Sequence, residues 1–230
     1  MNALAKAYVS DWEETAYAWE PLYLNCARLT QLPALPPKLQ ILFVCGNLFK
    51  DFGTTSLPAS LKEFHCDHNT ELKQLGPSRL PPNLTVLSCG NCSLTTLGAL
   101  PASLKILDCT SNPLLTLPTP LPPKLQRLAS QCAPLCPLPP SLRSFAYYGT
   151  TPLPYALPTK LQLLRAASVD LFTACTDVPP EGLSAYFADE DPVADWKTAW
   201  ARSAAQAHAR YRVRCRVLSP RLPVSALVYV

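Results

Sequence analysis

Glycine is scarce in this 230-residue chain, seven against 26 prolines, and long apolar runs are missing. So much proline excludes long uninterrupted helices and ordinary central strands, because each proline fixes φ near about −65° and removes a backbone donor. Short strands joined by stiff turns remain. No apolar stretch approaches the roughly 20 residues that a membrane-crossing helix needs. The opening "MNALAKAYVSDWEE" lacks a hydrophobic segment followed by a small-residue cleavage site. Between residues 22 and 172 there is also no clustered stripe of Lys and Arg, which nucleic acid would call for. A chain without a transmembrane segment, not exported by a cleaved signal and not bound to nucleic acid, is expected.

What is present is leucine at fixed intervals. "LPPNLTVLSCGNCSLTTL" (80–97) is answered by "LPASLKILDCTSNPLLTL" (100–117). Units open at Leu35-Pro36, Leu57-Pro58, Leu80-Pro81, Leu100-Pro101, Leu121-Pro122, Leu138-Pro139 and Leu157-Pro158, after a partial unit "LYLNCARLTQLP" from Leu22 to Pro33. The spacing of 17 to 23 residues lies in the leucine-rich-repeat range, below that of helix-pair repeats. Counting the first leucine as position 1, position 5 is Leu in all seven full units, and position 8 is Leu or Phe (Leu42, Phe64, Leu87, Leu107, Leu128, Phe145, Leu164). Position 10 runs Val44, Cys66, Cys89, Cys109, Ser130, Tyr147, Ala166. Positions 8 and 10 lie two apart on a strand and so share a face, and stacking the units builds a continuous core. Position 13 carries Asn47, Asn69 and Asn112, with Cys92 between them; a buried amide there can serve backbone groups of adjacent units that otherwise lack partners.

The pattern LPxxLxxLxCxxNxLxxLP resembles the LPX-type leucine-rich repeats of bacterial type III effectors, the YopM and IpaH group, over Leu22 to Phe172, about two thirds of the chain. The stretch "DWEETAYAWEP" is similar to the helical cap that precedes such repeats. The resemblance implies a curved scaffold that binds a host protein after delivery into the host cell. The expected fold is a leucine-rich-repeat solenoid with a curved parallel β-sheet on the concave side, an extended, polyproline-like convex side, a helical N-terminal cap and an α/β C-terminal cap. The domains are 1–21, the N-terminal cap; 22–172, the solenoid of about eight units; and 173–230, the C-terminal cap, with a helix about 192–209 and a β-hairpin about 210–230.

Ten cysteines would suggest disulfides in a secreted chain, but Cys26, Cys66, Cys89 and Cys109 are read as filling one core slot, so reduced, cytosolic thiols are expected. "HCDH" (65–68) offers two imidazoles, a thiol and a carboxylate, yet alternation turns His65 and Asp67 outward and Cys66 inward, which disfavours a metal. Cys89 and Cys92 form a C-x-x-C inside core columns. "CTD" (175–177) matches the Cys-x-Asp element of the ubiquitin-ligase domain that the resemblance implies for some relatives, but fewer than sixty residues follow the last unit, too few for such a domain. The chain is therefore read as non-catalytic, without metal or cofactor. The alternative is the repeat domain of a ligase-type effector whose catalytic part is absent or degenerate.

If positions 8 and 10 face inward, positions 7, 9 and 11 form the concave surface, which includes Ile41, Phe43, Glu63, His65, Asp67, Ile106, Asp108, Arg127, Tyr148 and Arg165. The first unit is read there as Tyr23, Asn25 and Ala27. This mixture of apolar, acidic and basic residues suits a protein or peptide partner. A second candidate is "RYRVRCRV", which alternates so that Arg210, Arg212, Arg214 and Arg216 share one face. Lys197 to Arg221 holds seven basic residues and no acidic one, a patch that could face an anionic surface.

Overall fold

The structure is a computed structural model and describes residues 21–53, 55–75, 80–151, 153, 155–166, 182–187 and 214–215. Eight short strands recur once per unit: β1 (Leu22–Tyr23), β2 (Ile41–Phe43), β3 (Glu63–His65), β4 (Val86–Ser88), β5 (Ile106–Cys109), β6 (Arg127–Ser130), β7 (Ser144–Tyr147) and β8 (Leu163–Ala166). Each pairs in parallel with its sequence neighbour, position 8 against position 8, as in Leu42↔Phe64 and Leu128↔Phe145. The result is one parallel sheet in chain order, the leucine-rich-repeat solenoid expected from the period.

The ladder continues past residue 172, where the solenoid was expected to end. β9 (Ser184–Phe187) pairs with β8, and β10 (Arg214–Cys215) pairs with β9, both in parallel. "VPPEGLSAYF" (178–187) therefore closes with another strand of the same sheet, behind a proline start that begins with Val178 in place of leucine. The two cap helices expected from the sequence fall outside the described residues, as does most of the expected hairpin about 210–230.

Each unit starts on a turn. The position 5 N–H donates to the position 2 proline carbonyl at 3.0–3.1 Å in all seven units, from Leu39 on Pro36 to Leu161 on Pro158. The second residue of four of these turns is another proline (Pro37, Pro82, Pro123, Pro140), the residue whose fixed φ suits that place. Serines at position 4 tie neighbouring turns together. Ser60, Ser103 and Ser141 each place Oγ within 2.6–3.1 Å of two carbonyls of the preceding unit. Among the described residues no helix interrupts this convex side.

Inside, the position 5, 8 and 10 side chains stack into one core running from Leu22 to Leu183. Cys66, Cys89 and Cys109 are fully buried in it, and burial is the main reason their thiols titrate well above the usual range. Cys92 is pushed to about 11 for the same reason. Cys26 does not belong to this slot. Pairing of Leu22 with Leu42 and Tyr23 with Phe43 puts Leu24 there, and Cys26 is exposed two residues later. The concave residues of the first unit are accordingly Tyr23 and Asn25; Ala27 stands at position 13.

The asparagine column behaves as its chemistry requires. Asn47 Nδ2 donates to Leu24 O and Val44 O, both at 2.8 Å, while its Oδ1 accepts from the N–H groups of Ala27 and Leu29, both at 3.0 Å. Asn69 and Asn112 repeat the pattern one and three units on. Cys92 directs its thiol at Cys66 O, the equivalent of Leu24 O, and at Gly90 O, one residue past the equivalent of Val44 O, each at 3.5 Å. Just before this column the chain turns left-handed, at Cys26, Gly46, His68, Asn91 and Ser111 (φ 51–66°). At the first four the N–H is held by a position 11 carbonyl of the next unit at 2.8–2.9 Å, which supports a conformation that non-glycine residues adopt only at a cost.

Candidate functional site

The concave face is built from columns in which equivalent residues of neighbouring strands lie about 4.8 Å apart. Along β1 to β8, position 9 reads Tyr23, Phe43, His65, Ser88, Asp108, Ala129, Ala146, Arg165. Its first three members stack as a strip of rings. Tyr23 lies 4.8 Å from Phe43 at an interplanar angle of 8°, and Phe43 lies 4.4 Å from His65 at 11°. Strand spacing and ring-stacking distance coincide, so the sheet imposes the stack. Tyr23, at the outer end, is 60% exposed.

Next comes a polar strip whose carboxylates bind within the molecule. Asp67 Oδ1 accepts from Ser88 Oγ and from the N–H of Gly90, both at 2.7 Å, and Cys45 Sγ lies 3.5 Å from Oδ2. Burial, reinforced by Asp67, pushes the Cys45 thiol up to about 12. Asp108 Oδ1 accepts from the N–H (3.0 Å) and the hydroxyl (2.8 Å) of Thr110. Asp108 is only 8% exposed, and burial raises its carboxyl above the ordinary range against the opposing pull of those two bonds.

Beyond Asp108 the column empties. Ala129 and Ala146 carry no side chain past Cβ, and a hollow of ≈ 360 Å³ opens over them. Asp108 and Arg165 stand at its two ends along position 9. Arg127 and Arg143 line it toward the start of the strands, and Tyr148 lines it toward their ends. The Tyr148 hydroxyl is raised chiefly by burial, with Arg165 pulling it down and Asp108 pushing it up. Arg127 and Arg143 are exposed, and among the described residues neither meets a carboxylate within ion-pair distance.

Ile41, Phe43, Glu63, His65, Asp67, Ile106, Asp108, Arg127, Tyr148 and Arg165 thus all lie on or beside the concave columns, but in separate groups. Phe43 and His65 join the ring strip. Asp67 and Asp108 are engaged by Ser88, Gly90 and Thr110. Ile106, Asp108, Arg127, Tyr148 and Arg165 line the hollow. Position 7, 9 and 11 alternation misses Arg143, which is at position 6. There the N–H groups of two successive residues, such as Arg143 and Ser144, donate to one carbonyl, Gln126 O. The ladder begins one residue before the strand proper, and position 6 joins the hollow. In "HCDH", Cys66 is buried while His65 lies on the concave side and His68 is exposed, its Nδ1 2.7 Å from Asn91 Nδ2. Cys175 and the side chains of Arg210, Arg212, Arg214 and Arg216 lie outside the described residues. Among the described residues no helix is long and apolar enough to cross a membrane.

No protein family and no curated protein matches this sequence. Solved structures do. A Shigella effector leucine-rich-repeat domain superposes with a TM-score of 0.56 at 22% identity, covering 86% of this chain and 80% of that one. YopM, a leucine-rich effector protein of Yersinia pestis, superposes with a TM-score of 0.54 at 29% identity, covering 75% of this chain and 57% of its own. This chain therefore spans a little over half the length of YopM. The likeness is one of fold, and it agrees with the resemblance carried by the LPX pattern.

Proposed function

We propose that this leucine-rich-repeat solenoid, whose solved structural neighbours are bacterial effectors, is a non-catalytic scaffold that binds a host protein through its concave face. Repeat solenoids of this kind are interaction domains. The columns that fold the chain are spent on its core, while three neighbouring units, β6 to β8, leave a hollow lined by groups from every one of them; this is the observation that carries the reading. Arginine and tyrosine, which line it, are the side chains that most often carry binding energy. The setting is reducing cytosol, where buried thiols of raised pKa stay unreactive.

Affinity capture from host-cell lysate identifies the partner, and variants then locate its site. Replacing Arg127 and Tyr148 together by alanine is expected to weaken binding at least tenfold, about 1.4 kcal/mol, with thermal unfolding unchanged. Neutralising Arg212, Arg214 and Arg216 is expected to weaken it less at physiological salt, since exposed charges are screened beyond about 8 Å. The opposite ranking would move the functional surface to the C-terminal strand.

A further inference from the structure

We infer that the hollow over Ala129 and Ala146 receives an acidic segment of the protein partner, with Asp or Glu carboxylates seated between the guanidinium groups of Arg127 and Arg143. This rests on the scaffold reading and adds to it the chemistry of the bound segment.

Three observations support it. First, arginines from three successive units, Arg127, Arg143 and Arg165, line one hollow of ≈ 360 Å³, and a planar guanidinium offers paired donors that fit a carboxylate. Second, among the described residues Asp108 is the only acidic group lining that hollow. It is 8% exposed, with Oδ1 occupied by two donors from Thr110. Among the described residues Arg127 and Arg143, neither within ion-pair distance of a carboxylate, outnumber it, and Lys105, exposed at position 6 one unit before Arg127, extends the positive charge along the strand starts. Third, the other half of the concave face already holds its own carboxylates, Glu63 and Asp67, so a partner's acidic residues are steered toward the hollow and away from the ring strip. A nucleic acid, whose charge is continuous, would meet those carboxylates along its length.

The test uses the intact chain and a short fluorescein-labelled peptide of alternating Glu and Ala, read by fluorescence anisotropy, with the Gln-for-Glu peptide as control. The Glu peptide should bind, weaken steeply as salt rises, and bind at least tenfold more tightly than the Gln peptide. Arg127→Gln with Arg143→Gln should lose at least tenfold toward the Glu peptide while melting as the parent does. Three results would overturn the inference: equal binding of the Gln peptide, equal binding by the variant, or tighter binding of a phosphoserine peptide or single-stranded oligonucleotide at the same residues. The two levels separate cleanly. If the Glu peptide fails to bind but partner capture still depends on Arg127 and Tyr148, the acidic-segment inference falls and the scaffold stands. If the peptide binds but capture ignores those residues, the scaffold reading falls.

Discussion

The two halves of this solenoid share a backbone and differ in what they do with it. From β2 to β4 and from β6 to β8 the pairing register is the same, position 8 on position 8. Yet the first half fills its concave column with Tyr23, Phe43 and His65 and closes its turns with asparagines that reach across units. The second half leaves its column empty at Ala129 and Ala146. There position 13 is Ala133 or Thr150, and the turns close locally. Ser130 Oγ lies 2.9 Å from Cys132 O, and the fully buried Tyr147 reaches Thr151 O at 2.9 Å. Gly149 makes room for that tyrosine, since a Cβ there would collide with the Tyr147 hydroxyl and Gln131 O. Regular stacking thus constrains positions 5, 8 and 10 and leaves both faces free to specialise.

Core substitutions should act on both halves alike and give the largest effect. Phe64→Ala and Phe145→Ala, in the same slot of either half and both fully buried, are each expected to cost about 3–5 kcal/mol in urea melts. Insensitivity in one half would break the claim of a shared core. The turns should then separate the halves. Asn69→Ala removes bonds to Val44 O, Cys66 O and Asp67 O and an acceptor for Asn47 N–H, at about 1–3 kcal/mol for a buried group left without a partner. Tyr147→Phe loses only the local bond to Thr151 and should cost about 1 kcal/mol. Equal losses would mean that the asparagine ladder is no more than local.

The smallest effect concerns the boundary between the halves. Burial raises the Asp108 carboxyl in the folded state above its ordinary 3.8, so its ionised form opposes folding. That penalty is complete above the folded pKa and disappears as pH falls through it and past 3.8. Asp108→Asn, which keeps an acceptor for Thr110, should therefore raise stability at neutral pH. The gain should vanish in acid, as thermal melts across pH would show.

Much of this was legible because a solenoid repeats its constraints. Leucine at position 5 and Leu or Phe at position 8 announce a core in any one unit, and seven units remove the ambiguity. The first unit shows what happens without that redundancy. Leu22 with Leu24, and Leu24 with Cys26, both satisfy spacing by two, and only pairing with β2 chooses the former. The strand at Ser184–Phe187 was hidden for a related reason, its start being Val178-Pro179 without the leucine that marks the others. Arg143 was missed because strict alternation ignores the early start of the ladder at position 6.

The sequence by itself determined the period, the inward columns and the outward ones, since these follow from side-chain spacing along a single strand. Tertiary structure alone decided which outward residues meet. Asp67 and Asp108 look like free recognition groups in the chain but become internal acceptors, because Ser88 and Gly90 reach Asp67 from the next unit and the turn carrying Thr110 folds back on Asp108. Ala129 and Ala146 look featureless and become the floor of a hollow, because a cavity is made by what several strands fail to fill, and that absence exists only once they lie side by side.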